Sequence, residues 1–133
     1  MTEPRFLTVH DVEILHRRSI ERYGGTLGIR DKGGIESAVG QPQNVFFYGQ
    51  GDLFDMAAAY AFHIAQAQAF LDGNKRTAVL SAFVFLESNG IRVQFSEYEI
   101  YEAMIGIAER RVSKSDLAAL MRKESGGNRR TES

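Results

Sequence analysis

The chain has 133 residues, with 16 basic and 17 acidic side chains, and its net charge of −1 offers no excess of positive charge for a nucleic-acid backbone. It contains no cysteine, which excludes disulfides and thiolate metal sites. No apolar run reaches the roughly 20 residues of a membrane span, and the N-terminus lacks a signal-peptide core. We therefore expect a single cytoplasmic domain that contacts neither a membrane nor nucleic acid directly.

The first predicted helix begins after Thr8, which stands three residues before Asp11, the spacing of a capping box. His16 and Ile20 share its apolar face at helical spacing, so we interpret His16 as a core histidine. A Gly-Gly pair ends this helix.

The segment from Thr26 to Gly34 is rich in glycine and charge, and it predicts an exposed loop or a small hairpin. A short helix from Ile35 to Val39 should stop before Gly40-Gln41-Pro42-Gln43, because proline disrupts a helix interior. Residues 44–51 are then expected to form a loop that carries three aromatic side chains.

Asp52 is the expected cap of an alanine-rich helix whose small side chains favour close packing. The chain then reaches Gln68, from which Gln-Ala-Phe-Leu-Asp-Gly-Asn-Lys-Arg predicts a loop that leads directly into a helix. Residues from Thr77 to Leu86 have no polar face, which is typical of a helix surrounded by protein. Asn89-Gly90 provides its stop.

The start of this helix predicts an anion-binding site. Asp72-Gly73-Asn74 forms a turn with outward backbone N–H groups, and Lys75 and Arg76 add two cations in the first turn. Cations there are unfavourable unless an anion compensates them. A phosphate would do so, and Asp72 could either hold a Mg²⁺ ion on that phosphate or neutralise the cations locally.

The C-terminal part predicts a short extended segment from Ile91 to Phe95 and two further helices. Ser96 should cap the first of these, and Ser113 or Ser115 the second. The residues after Glu124 carry no apolar side chain. We therefore expect one domain over 1–124 and a disordered tail over 125–133.

The central stretch resembles the signature of the Fic/Doc superfamily, His-x-Phe-x-(Asp/Glu)-Gly-Asn-x-Arg. The matching residues are Phe70, Asp72, Gly73, Asn74 and Arg76. Further stretches similar to the Doc, or death-on-curing, branch are Lys75-Arg76-Thr77-Ala78, Gly33-Gly34-Ile35-Glu36-Ser37-Ala38 and Gln41-Pro42-Gln43.

The resemblance implies an all-α domain of about five to six helices, with a central buried helix and a short flap. It also implies a toxin that a small antitoxin protein holds inactive. The Doc branch transfers the terminal phosphate of ATP to a Ser or Thr hydroxyl of a translation elongation factor, whereas the Fic branch transfers AMP. Lys75 and Val79 favour the Doc reaction, because AMP-transferring members usually carry glycine and arginine there.

Residue by residue, the resemblance implies that Phe70 anchors the loop and that Asp72 binds Mg²⁺. The residues expected to bind ATP are Gly73, Asn74, Lys75, Arg76 and Thr77. The residues expected to take part in catalysis are Gln68, Asp72, Lys75 and Arg76. Arg30 and Lys32 are expected at the tip of a flap that aligns the target.

Gln68 stands where the family has its histidine, the general base that takes the proton from the attacking hydroxyl. Such a base contributes about 10²–10⁴-fold to a rate, and a glutamine amide cannot accept the proton. We therefore expect this chain to be impaired or inactive. An engineered inactivating change and natural divergence explain Gln68 about equally well. Glutamine keeps much of histidine's size and polarity, which suits an engineered change, whereas Ala69 in place of the usual proline suits divergence.

Two alternative functions stay open. One is AMP transfer to a protein hydroxyl, and the other is a catalytically dead module that binds an antitoxin or another partner. His63 lies five residues before Gln68, which is more than one helical turn and on a different face. We therefore interpret His63 as a structural residue and not as a substitute base.

Overall fold

The computed structural model describes residues 2–94 and 96–130, which are mostly helical. The helices within these ranges are α1 (Val9–Tyr23), α2 (Lys32–Phe47), α3 (Leu53–Ala67), α4 (Asn74–Ser88), α5 (Glu97–Ala108) and α6 (Lys114–Arg130). The same ranges contain no strand, only an isolated antiparallel bridge between Ile29 and Phe70. The predicted all-α fold is confirmed. Across these residues, no helix combines the length and the apolar character needed to cross a bilayer.

Two helices, α3 and α4, form the centre of the domain. α2 and α6 pack on α3, while α1 and α5 pack on α4. Ala57, Ala58 and Ala61 of α3 are fully buried, and their small side chains let the helix axes approach closely. The buried side chains of α4 are Thr77, Ala78, Val79, Ser81, Ala82, Phe85 and Leu86. The prediction that this helix is surrounded by protein is confirmed.

Local side chains fix the starts of the helices where the sequence predicts them. Thr8 and Asp52 each form a capping box with an aspartate three residues later. Ser96 accepts an N–H from the first turn of α5, and Ser113, one of the two serines considered for α6, caps that helix. Each such cap stabilises its helix by about 1 kcal/mol.

Helix α2 is longer than the sequence predicts. The expectation of a helix over Ile35–Val39 and a loop over residues 44–51 is wrong, because α2 continues through Pro42 to Phe47. The buried residues of α2 are Ile35, Ala38, Val39 and Pro42, which follow the i, i+3, i+4, i+7 pattern of one helix face. Burial of this face against α3 outweighs the local penalty of an internal proline.

The C-terminal region also differs from its prediction. Helix α6 continues to Arg130, and the Ser125 side chain is buried, so the helix runs past the expected boundary at Glu124. Residues 131–133 of the expected tail lie outside the described ranges. Residues 91–94 form no regular secondary structure, and Phe95 of the expected extended segment is also outside the described ranges.

Candidate active site

The motif loop (residues 68–73) joins α3 to α4, and its first residue is Gln68. Gln68 ends α3 in the left-handed conformation, with φ 48° and ψ 44°. This conformation costs a residue other than glycine about 1–2 kcal/mol. The side chain is exposed. The position where the resemblance expects a general base therefore lies at the open surface, on a strained backbone.

Asn74 closes the motif loop by binding both the N–H and the carbonyl group of Phe70. Its Oδ1 accepts the Phe70 N–H at 3.0 Å, and its Nδ2 donates to the Phe70 carbonyl at 3.0 Å. The Phe70 side chain is 1% exposed and belongs to the core. Phe70 thus anchors the loop as predicted, and Asn74 shapes the loop from within.

His16 of α1 contacts two residues of the same loop, Asp72 and Phe70, a role that its sequence position does not predict. Its Nε2 lies 2.8 Å from the Asp72 carbonyl oxygen, and its ring stacks on Phe70 with centroids 3.9 Å apart and planes 10° apart. Burial lowers the pKa of His16, although the bond to Asp72 opposes this shift. The only sequence signal was a polar residue in the apolar stripe of α1.

Asp72 presents its carboxylate at the surface of the motif loop. One oxygen accepts the Thr26 N–H at 3.1 Å, and the other accepts the Gly73 N–H at 2.9 Å. These two hydrogen bonds hold the pKa of Asp72 below its usual value, so the group is ionised at neutral pH.

The carboxylate of Asp72 fits the predicted Mg²⁺ site in one specific way. Among the described residues, no group of three or more His, Cys, Asp or Glu side chains could enclose a metal ion. Mg²⁺ bound to a nucleotide needs no such cage, because one carboxylate, phosphate oxygens and waters complete its shell. Asp72 is therefore suited to Mg²⁺ that arrives with phosphates.

The N-terminus of α4 is open to a ligand. Its cap is Gly73, at φ 74°, and no side chain caps the helix. Lys75 is exposed in the first turn. The Arg76 guanidinium donates to the Gly24 carbonyl at 3.1 Å and lies 5.5 Å from the Tyr23 ring centroid. The positive end of the helix dipole, the first-turn N–H groups, the exposed Lys75 and the anchored Arg76 therefore all belong to the start of α4.

Thr77 does not belong to this surface. Its side chain is 0% exposed, and its N–H bonds the Gly73 carbonyl at 3.0 Å as part of the first helical turn. This burial corrects the expectation that Thr77 contacts a nucleotide. The reason is the position of Thr77 on the buried face of α4, which it shares with Ser81 one turn later.

A cavity of about 210 Å³ lies directly beside Arg76. Its lining residues are Tyr23, Arg76, Val79, Leu80 and Tyr101. The walls are therefore mainly apolar and aromatic, with a single guanidinium at the edge. Such a composition is typical of pockets for small organic groups.

The flap (residues 24–31) is tied to the motif loop through the backbone. Arg30 N–H donates to the Ala69 carbonyl at 2.7 Å, and Leu71 N–H donates to the Gly28 carbonyl at 3.0 Å. Leu27 and Leu71 are about half exposed beside these bonds. The flap therefore lies along the motif loop and presents apolar side chains next to it.

The two cations expected at the tip of the flap have different positions. Arg30 lies in the flap and is exposed. Lys32 is the first residue of α2, and its Nζ pairs with Glu13 of α1 at 3.3 Å. The structure thus separates Lys32 from the flap, because Asp31 caps α2 immediately before it.

His63 of α3 contacts α6 in a structural cluster. Its Nε2 is 3.2 Å from Lys114 Nζ of α6, and its ring packs edge-on against Phe62. Burial, with a smaller contribution from the Lys114 charge, lowers the pKa of His63 to about 4. A neutral, half-buried histidine in this setting agrees with the structural interpretation.

Comparisons with known proteins agree with the geometry. The family model described as Fic/DOC family matches residues 6–86, more than half of the chain. "Protein kinase doc" of Escherichia phage P1 is 36% identical over 123 residues, which are 92% of this chain and 97% of that protein. "Toxin Doc" of Mycolicibacterium smegmatis is 42% identical over 74 residues, 53% of this chain and 56% of that protein. The chain therefore belongs to the Fic/Doc family, in its Doc branch.

Proposed function

We propose that this chain is a Doc-type toxin that transfers the terminal phosphate of ATP to a Ser or Thr hydroxyl of a translation elongation factor. The names of the two relatives, a protein kinase and a toxin, support this proposal. The observation that carries it is the start of α4, where the ionised Asp72 stands beside an uncapped helix N-terminus. Lys75 and Arg76 complete that surface.

The residues at the start of α4 have complementary tasks in this proposal. The free N–H groups of the first turn and the Lys75 ammonium bind phosphate oxygens. Arg76 is held in place by the Gly24 carbonyl and the Tyr23 ring, so its guanidinium is preorganised for a phosphate. Asp72 would hold Mg²⁺, which neutralises phosphate charge when it is bound. The cavity beside Arg76 gives room for the nucleoside.

Gln68 affects only the proton transfer of this reaction. The target oxygen forms a bond to the terminal phosphorus, the bond to ADP breaks, and the hydroxyl proton must leave. Glutamine offers a hydrogen bond to the hydroxyl but takes no proton near neutral pH. ATP binding therefore persists, while transfer is slower by about 10²–10⁴-fold than with histidine at this position.

The absence of a proton acceptor at Gln68 also favours a second candidate, a catalytically dead module that keeps only partner binding. In both cases we propose a cytoplasmic protein whose partner is a small antitoxin, as the Doc resemblance implies. The two candidates differ in one respect. Histidine at position 68 restores transfer in the impaired enzyme and does nothing in the dead module.

The test is the intact mass of purified bacterial elongation factor after incubation with Mg·ATP and either this chain or its Gln68→His variant. A gain of about 80 Da identifies phosphate transfer, and a gain of about 329 Da identifies AMP transfer. We expect the smaller gain, mainly with Gln68→His. A Gln68→His/Asp72→Asn double variant is the matched control and should be inactive. No mass change with any variant would overturn the proposed reaction on this target.

A further inference from the structure

We propose that His16 is a positioning residue that fixes the orientation of the Asp72–Gly73 peptide, and with it the Gly73 N–H and the Asp72 carboxylate. This inference deepens the proposed function and rests on it, because the two groups that are oriented belong to the proposed nucleotide site. The position of His16 on the apolar face of α1 predicts only a core histidine, with no task in the loop.

The contact between His16 and Asp72 fixes which ring nitrogen of His16 is protonated. A backbone carbonyl only accepts hydrogen bonds, so the Nε2 atom 2.8 Å away must carry the proton. The ring is held in this orientation by its parallel stack on Phe70 and by burial, with 2% of the residue exposed. His16 therefore combines two contacts, a hydrogen bond to one motif residue and a ring contact to another.

The hydrogen bond decides which way the next N–H points. In a trans peptide the C=O and the following N–H point in opposite directions, and the described residues contain no cis peptide. A carbonyl of Asp72 that is held toward α1 therefore turns the Gly73 N–H away from α1. That N–H meets the Asp72 carboxylate at 2.9 Å.

The Asp72–Gly73 peptide is free to flip unless another group holds it. Gly73 has φ 74°, and glycine adopts either sign of φ at little cost, so a peptide flip here meets no steric barrier from a side chain. A flip would break the Gly73–Asp72 bond and change the direction of an N–H at the open start of α4. His16 prevents the flip without touching the ligand surface itself.

Two substitutions separate the hydrogen bond from the packing. His16→Phe keeps a ring that can stack on Phe70 but removes the donor, whereas His16→Gln keeps an amide donor near the Nε2 position and removes the ring. His10→Phe, at an exposed position of the same helix, is the matched control. The measurements are Mg·ATP affinity by calorimetry, thermal unfolding, and the assigned Gly73 amide resonance by NMR.

We expect the two His16 variants to rank in opposite orders for thermal stability and for Mg·ATP affinity. His16→Phe leaves the Asp72 carbonyl without its donor, so it should unfold slightly below the parent temperature but above His16→Gln. It should bind Mg·ATP about tenfold more weakly, because the Asp72–Gly73 peptide is no longer held. His16→Gln should unfold earlier but bind within about threefold of the parent, since the donor is kept. His10→Phe should change neither.

Affinity that simply follows stability, with His16→Gln as the weaker binder, would show that His16 acts only through packing. If the parent chain binds no Mg·ATP, the proposed function fails, and the Gly73 resonance still decides the role of His16. A shift of that resonance in His16→Phe but not in His16→Gln supports the positioning role. Equal shifts in both variants, or none in either, overturn it.

Discussion

Replacing Asn74 with alanine tests whether one side chain holds the motif loop together. The asparagine makes two hydrogen bonds of 3.0 Å to the backbone of Phe70, one as acceptor and one as donor. Alanine removes both and leaves a backbone N–H and a carbonyl without these partners. The Phe70 side chain beside them is almost fully buried, so the loop cannot relax by turning it outward.

The magnitude follows from these two contacts. Each backbone group that loses its partner costs about 1–3 kcal/mol, and water that enters the half-buried loop brings both values toward the lower end. Alanine regains about 0.5 kcal/mol through its higher helix propensity. We therefore expect Asn74→Ala to lower the free energy of unfolding by about 2–3 kcal/mol.

The assay is equilibrium unfolding in guanidinium chloride near neutral pH, followed by the helical circular dichroism signal. Lys75→Ala is the matched control, because Lys75 is an exposed neighbour in the same helical turn. It should change the free energy of unfolding by less than about 0.5 kcal/mol. A loss in Asn74→Ala as small as that of the control would refute the role assigned to the asparagine.

Gln68→Gly should stabilise the chain by about 0.5–1 kcal/mol, because glycine adopts the left-handed φ of 48° without strain, and a lower unfolding temperature would contradict this. Gly25→Ala should destabilise more than Gly49→Ala in the same unfolding assay, since a Cβ at Gly25 would lie 2.6 Å from a carboxylate oxygen, whereas Gly49 has open space; equal losses would argue against this packing. His63 has a pKa lowered to about 4, so the unfolded chain binds its proton first and stability falls as pH drops from about 6.5 toward 4. We expect the free energy of unfolding to fall by about 1–2 kcal/mol between these pH values, a loss that is limited because the ring is half exposed. In Lys114→Met the loss should be smaller when unfolding is compared at the same two pH values. An unchanged pH dependence in that variant would exclude the Lys114 contribution.

Features that depend on neighbouring residues could be predicted from the sequence. The capping box of Thr8 with Asp11 and the cap at Asp52 involve side chains within one turn of the groups that they bind. Helix α2 could not be predicted in the same way, because Pro42 locally favours a break and is outweighed by its burial in the core. That outcome depends on α3, which lies later in the chain.

The candidate site shows the same difference between local contacts, which the sequence predicts, and long-range contacts, which it does not. The motif residues meet because they are consecutive, so the sequence could place Asp72, Lys75 and Arg76 at one helix start. The contacts that orient them join residues far apart in the chain: His16 and Thr26 reach Asp72 over 56 and 46 positions, and Arg76 reaches Gly24 over 52. No local pattern encodes such pairs, because they depend on how α1 and the flap pack against the motif loop and α4.

Calorimetric titration of the unmodified chain with ATP, with and without Mg²⁺, tests most directly whether the start of α4 binds a nucleotide. This measurement needs no catalytic base, so Gln68 does not affect its outcome. We expect saturable one-to-one binding that requires Mg²⁺ and that Asp72→Asn and Arg76→Met each weaken by about tenfold or more. No saturable binding, or equal binding by the parent and both variants, would contradict the assignment of this surface.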